Sequence, residues 1–306
     1  TGNVVCEFSK DMGNFVNPRG KYTISMTPTF CRLQGSQYDY KILYTDIKGL
    51  FLLPRPDNMR VCFVIELERS IRQGGAKYKN LVLETHRVEE NVKINLSEEE
   101  IQQEYGGALQ PVMAGPLSNT IAKVFKVLSQ TNVFIPKAYV NTSGSHAIKC
   151  NYKASEGFLY PLAKSFIFVH KPCIIIPFKD VLTVEYERIN NSEADKYSAV
   201  KSFDIKVTVK PNSEASIGNV DSSTVYTFSA VDKREFQLFN TYMETRKDLR
   251  VLYDAPAVEQ LQALDDDEDD EEDDDYEGGE SSESDDDGDD DEGDGGSDGD
   301  EDDKKK

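Results

Sequence analysis

Negative charge in this sequence is gathered at one end: 27 of its 56 Asp and Glu residues lie between positions 265 and 306. Three lysines are the only cations there, so the segment carries a net charge of -24. Residues 1–264 hold 32 Lys and Arg against 29 Asp and Glu, a net of +3. From Asp265 onward the chain is almost entirely Asp, Glu, Gly and Ser, with Tyr276 as its single aromatic. Such a segment repels itself and has no apolar surface to bury, which predicts a disordered, extended tail. All the folding capacity therefore lies in 1–264, a length that accommodates two domains of ordinary size.

That body reads as one layout used twice, several strands followed by one amphipathic helix. Val61, Phe63, Ile65 and Leu67 alternate with Cys62, Val64, Glu66 and Glu68, the period-two signature of a strand. Further strands are expected at 22–26, 40–44, 50–53 and 78–85, with Gly74-Gly75 marking a turn. Ser97 and Glu100 form a capping-box pattern for a short helix. After Gly115-Pro116, Leu117, Ile121, Val124, Phe125 and Leu128 recur on one helical face. The second copy opens near Gly144. Its strands are expected at 148–153, 166–170, 174–178, 181–186, 202–210 and 225–228, with a polar loop over 211–223. Asp232 and Glu235 read as the start of a last helix, whose buried stripe is Phe236, Phe239 and Met243. The fold class is mainly β: small antiparallel sheets, each closed by a C-terminal helix. Pattern alone does not separate such a layout from other small barrels.

Several function classes find no support. Cys6, Cys31, Cys62, Cys150 and Cys173 are odd in number and contain no C-x-x-C pair, so reduced thiols are expected. His86, His146 and His170 are scattered. His170 falls in an expected strand and His86 directly follows one, and both read as structural. There is no H-E-x-x-H, no phosphate loop and no nucleophile motif, so no catalytic residue, metal ligand or cofactor is assigned and the chain is not expected to be an enzyme. The acidic run lacks the fixed ligand spacing of a calcium loop. No stretch approaches the ~18 apolar residues that span a bilayer, and there is no secretory signal. The first residue is Thr1, which suggests that more protein precedes it.

Three stretches carry a family resemblance. They are Y-D-Y-K-I-L-Y-T-D-I-K-G-L-F-L-L-P at 38–54, F-V-I-E-L-E-R-S-I-R-Q-G-G-A-K-Y at 63–78 and Y-K-A-S-E-G-F-L-Y-P-L-A-K-S-F-I-F-V-H-K-P at 152–172. Over most of 20–250 the chain resembles the middle region of the structure-specific recognition protein family, the small subunits of the FACT histone chaperone. The resemblance implies tandem pleckstrin-homology-like domains followed by an acidic histone-binding segment. It also implies work on nucleosomes in transcription, replication and repair, a nuclear, chromosomal location, and a larger FACT subunit bound through a region expected to lie outside this chain. Core histone dimer and tetramer are the implied partners, with nucleosomal DNA met indirectly and no membrane. The expected domains are 1–133 and 140–250, a linker at 251–264 and the tail at 265–306. A DNA-binding box follows the acidic region in some members; here the sequence ends at Lys304-Lys305-Lys306. Where the family usually has Gln before the first strand of the second domain, this sequence has His146.

Histones are basic because they hold DNA phosphates, so a chaperone must offer a competing anion. Residues 265–303 place 27 carboxylates in 39 positions, roughly one per 5 Å when extended at ~3.3 Å per residue. Duplex DNA presents a charge every ~1.7 Å, so the tail is the weaker polyanion and suits a carrier that returns its cargo. Tyr276, set among Glu271, Glu272, Asp273, Asp274, Asp275 and Glu277, is the candidate anchor: an aromatic ring for an apolar pocket within an acidic surround. Ser282, Ser284 and Ser297 each have Asp three residues on, a spacing that suits an acid-directed kinase. On the body, His146, Lys149 and Lys153 are the candidate partner surface, with the two lysines expected on one strand face. The alternative is a phosphoinositide- or DNA-binding tandem adaptor. A two-lysine face is more often simply solvated, and a net +3 does not by itself argue for DNA.

Overall fold

The computed structural model describes residues 3–189, 201–213, 215, 222–247 and 249–252. These form one compact unit with two lobes, each built around its own core. In the first lobe a four-stranded sheet runs Cys6–Phe8, Thr23–Met26, Phe30–Gln34, Asp39–Leu43. A six-stranded sheet runs Val133–Phe134, Ile47–Pro54, Arg60–Gln73, Ala76–His86, Asn14–Asn17, Arg19–Gly20. A two-stranded ribbon, Glu89–Lys93 with Val112–Pro116, flanks helix α1 (Glu98–Tyr105). Helix α2 (Leu117–Ser129) seals the core with Leu117, Ile121, Val124, Phe125 and Leu128, the five positions its spacing predicts. Ser97 and Glu100 complete the expected capping box, and α1 stops at Gly106 in the left-handed conformation (φ 57°).

The second lobe is an eight-stranded sheet in the order Ile174–Pro177, Ser165–Val169, Ser155–Pro161, Ile148–Tyr152, Thr224–Asp232, Ser202–Val209, Val181–Glu187, Val251–Leu252. Helix α3 (Phe236–Glu244) buries Phe236, Phe239 and Met243 in its core. The repeated layout is real in detail. A single 3-10 turn, Tyr44–Asp46 in one lobe and Phe178–Asp180 in the other, buries its leading aromatic and opens a long strand. In each lobe a two-residue strand after the closing helix then pairs in parallel with that long strand: Val133–Phe134 on Ile47–Pro54, and Val251–Leu252 on Val181–Glu187. The mainly β class and the helix closing each copy follow the sequence reading.

A third core lies between the lobes, and alternation explains it. On Arg60–Gln73, Phe63, Ile65 and Leu67 face the first core while Cys62 and Val64 face the seam. On Ser165–Val169, Phe166 and Phe168 face the second core while Ile167 and Val169 face the seam. Phe51, Leu53, Val82, Tyr160, Leu162 and Ile175 complete it. Period two puts successive side chains on opposite faces, so strands buried on both sides must be apolar throughout. The run Phe166–Val169, apolar and buried at every position, is the extreme case.

Local details depart from the sequence reading. His170 lies just beyond its strand. Asp232 does cap, accepting from the Arg234 amide, but Glu235 is no capping-box partner: it is turned inward and buried. All five cysteines are buried free thiols.

Candidate functional sites

The tail candidates Tyr276, Glu271, Glu272, Asp273, Asp274, Asp275 and Glu277, and the serines Ser282, Ser284 and Ser297, lie outside the described residues. The candidates on the second lobe are described. His146 is half-buried, its Nδ1 lying 2.6 Å from the Tyr139 carbonyl oxygen. A carbonyl only accepts, so Nδ1 carries the hydrogen and Nε2 is left to engage anything else. Lys149 projects from Ile148–Tyr152 and pairs with Glu156 on the neighbouring strand at 3.0 Å, both ends exposed. Lys153 is one residue past the strand, in a left-handed turn (φ 54°), with its ammonium 5.4 Å from the Tyr152 ring centroid. The structure therefore does not put the two lysines on one strand face as a pair of free cations.

Lys149 does line a groove of about 630 Å³ on the second lobe, with Asn141, Glu156, Lys201, Asp232 and Arg234. Cations and carboxylates are interleaved there, which suits a polar protein surface better than a polyphosphate headgroup. The wall formed by 139–147 is fastened from inside. Glu235 accepts from the Tyr139 hydroxyl at 3.1 Å and the Thr142 amide at 3.2 Å, and it also bonds the Thr142 hydroxyl. Asn141 Oδ1 gathers the Ser143 and Ser145 amides at 3.0 and 2.7 Å, while its Nδ2 donates to the Ala147 carbonyl at 2.9 Å. Glu235 was legible only as a helix-start residue, because its true partners lie more than 90 positions upstream.

A second concave region, about 460 Å³, opens beside the seam and is lined by Lys77, Tyr78, Lys79, Asn80, Lys171 and Tyr226 among others. The hairpin feeding it turns at Gly74-Gly75 and sets Arg72 directly opposite Lys77.

The seam itself carries a polar node that sequence reasoning missed. Arg55 Nη1 lies 2.5 Å from Glu84 Oε2 and 3.0 Å from His170 Nε2. His170 Nε2 is in turn 3.0 Å from the same Glu84 oxygen, and Arg60 holds the other carboxylate oxygen at 3.2 Å. One ring nitrogen can serve only one of its two neighbours at a time: bearing hydrogen it donates to Glu84, bare it accepts from Arg55. Hydrogen bonding to His170, then to Arg55, holds the Glu84 carboxyl down at about 2 against the opposing effect of burial. Asn80 Nδ2 donating to the Cys173 carbonyl at 3.0 Å, and Arg55 over the Phe158 ring at 5.2 Å, add to the join.

Two stacked antiparallel units, each closed by a C-terminal helix and fused through a shared apolar seam, define a tandem pleckstrin-homology architecture. Comparison with known proteins agrees. Residues 3–133 match the family described as SSRP1 PH domain (PH1_SSRP1-like), and residues 146–251 match histone chaperone Rttp106-like, middle domain. The chain belongs to the family of the FACT complex subunits SSRP1 and POB3. It is 35% identical over 248 residues to FACT complex subunit SSRP1 of Xenopus laevis, covering 81% of this chain and 33% of the relative. It is 37% identical over 233 residues to FACT complex subunit POB3 of Mycosarcoma maydis (76% and 39%). It is 37% identical over 234 residues to FACT complex subunit SSRP1 of Dictyostelium discoideum (76% and 42%). The chain thus spans between 33% and 42% of the length of these relatives. A solved chain described as "Structure of the Spt16D Pob3N heterodimer" aligns with 72% of this chain at 11% identity and a TM-score of 0.27, too distant to inform the geometry.

Proposed function

We propose that this chain is the middle region and acidic tail of a FACT-type histone chaperone subunit, a non-enzymatic binder of core histone dimers and tetramers. On this reading it works in the nucleus on chromosomes, reorganising nucleosomes in transcription, replication and repair, beside a larger FACT subunit. The observation that carries the reading is a combination: a body matching an SSRP1-type domain and a histone-chaperone middle domain, joined to 27 carboxylates in 39 positions. The functional divisions are 1–133, 140–250, a linker at 251–264 and the tail at 265–306.

The tail competes with DNA for basic histone surface. Its charge is sparser than that of the duplex, so it loosens histones without retaining them. Tyr276 among Glu271, Glu272, Asp273, Asp274, Asp275 and Glu277 supplies the apolar anchor that charge alone lacks. Phosphate on Ser282, Ser284 or Ser297 would add about -1.5 to -2 charge each and strengthen the competition. On the body, the Lys149-lined groove and the neighbouring His146 and Lys153 form a second docking surface. Two modest sites on one chain bind together through effective concentration.

The test is a chaperone assay. Core histones mixed with DNA at ~0.15 M salt aggregate; the intact chain is expected to suppress that aggregation and leave DNA with ordered histone deposits. A chain that leaves aggregation unchanged at tenfold molar excess contradicts the proposal.

A further inference from the structure

The polar node of the seam holds donor chemistry that histone binding does not use. Cys62 and Glu84 are register partners on adjacent strands, with Sγ 4.0 Å from Oε2. His170, from the other lobe, brings Nε2 within 3.0 Å of the same oxygen. The three donor atoms lie within 4.8 Å of one another. We propose that Cys62, Glu84 and His170 form a zinc-class metal site that staples the two lobes, with Arg55 as the resident cation that the metal displaces.

The donor set selects the metal. One thiolate, one imidazole and one carboxylate suit a borderline-soft tetrahedral ion and not calcium or magnesium, which need mostly oxygen. Zinc bonds of ~2.0–2.3 Å set such donors roughly 3.5 Å apart, so the widest gap in the cluster closes by at most about 1.3 Å, while the 3.0 Å between Glu84 and His170 opens slightly. The fourth position belongs to water, which enters past the His170 side chain, 35% exposed, while Cys62 is fully buried.

Arg55 shows that the place suits positive charge, because its guanidinium touches both Glu84 and His170. It also has somewhere to go. Its Nε is buried without a hydrogen-bond partner, and the Asp57 carboxylate lies 3.8 Å away. Exchange keeps the node neutral: Arg55 and Glu84 cancel before it, and a dication cancels Glu84 and the Cys62 thiolate after it. One proton leaves Cys62 for solvent per metal bound, and no oxidant or reductant is involved. Arg60 stays on the second Glu84 oxygen at 3.2 Å and orients the ligand.

The test must see past the tail, whose carboxylates collect divalent ions diffusely. Cobalt(II) titration of the intact, reduced chain meets this need, because only a thiolate ligand gives sulfur-to-cobalt absorption in the near ultraviolet. The expected result is one equivalent of such absorption, bleached by zinc and absent in Cys62→Ser and in His170→Gln. His170 is half-exposed, so its variant keeps the test valid if Cys62→Ser fails to fold. Arg55→Gln, which removes the competing cation, is expected to tighten cobalt binding by about tenfold, the worth of one charge-assisted hydrogen bond. No thiolate absorption in either the native chain or Arg55→Gln overturns the site, as does absorption that survives Cys62→Ser. Equal affinity in the native chain and Arg55→Gln overturns the displacement.

Discussion

Tyr160, fully buried in the second lobe, donates its hydroxyl hydrogen to the Pro54 carbonyl of the first lobe at 2.9 Å. One side chain thus fills the seam and satisfies a backbone acceptor across it. Its removal separates the two contributions. Tyr160→Phe keeps the packing and leaves the Pro54 carbonyl short of a donor, an expected loss of ~1 kcal/mol. Tyr160→Ala also opens a cavity, an expected loss of ~3–5 kcal/mol. Urea unfolding followed by separate probes in each lobe checks this: the native chain should unfold in one transition, and Tyr160→Ala in two.

Glu84 makes the seam acid-sensitive. Its carboxyl sits at about 2 in the folded chain against an ordinary value of 4.5. A depressed carboxyl stabilises the fold fully above its unfolded value and ceases to do so as pH falls through the folded one. Stability therefore drops between pH 4.5 and 2, by up to about 3 kcal/mol from this group. Glu84→Gln should be less stable at neutral pH and should show a flatter pH dependence in that window, read by urea midpoints at a series of pH values.

Gly157 admits no side chain. A Cβ there would lie 2.4 Å from the Val169 carbonyl oxygen and 2.5 Å from the Phe168 ring. The nearest atom is backbone in the adjacent strand, so the sheet itself has to shift. Gly157→Ala is expected to cost ~2–3 kcal/mol, measured by chemical denaturation, whereas Gly75→Ala, with open space around it, should change little.

Glu235 fastens the wall of the Lys149 groove. Glu235→Ala strands the buried Tyr139 hydroxyl and frees the Thr142 amide and hydroxyl, at an expected ~1–3 kcal/mol. Amide hydrogen exchange should accelerate across 139–147 before the second core loosens.

The parts of this architecture that were legible in the sequence are those with a local cause. The α2 stripe, the Ser97–Glu100 box and the alternation at 61–68 each follow from spacing along a few residues. The seam was half legible: Cys62 and Val64 made the second face of their strand apolar, but nothing local says which surface covers it. The node was not legible at all, since Arg55, Glu84 and His170 are brought together only by the packing of one sheet on another. Lys153 was misplaced because a turn residue at φ 54° leaves the alternation that would have set it beside Lys149. The acidic candidates rest on composition and the tyrosine within it.

On the proposed function, the tail supplies specific histone affinity to a folded body. The direct measurement is the affinity of histone dimer for the intact chain, for residues 1–264 and for Tyr276→Ala, at ~0.15 M and ~0.5 M salt. Removing the tail is expected to cost most of the affinity. Tyr276→Ala is expected to cost more than ~1 kcal/mol at both salts, since an apolar anchor is not screened. Unchanged binding by Tyr276→Ala, together with loss of all binding at high salt, would contradict it and reduce the tail to a plain polyanion.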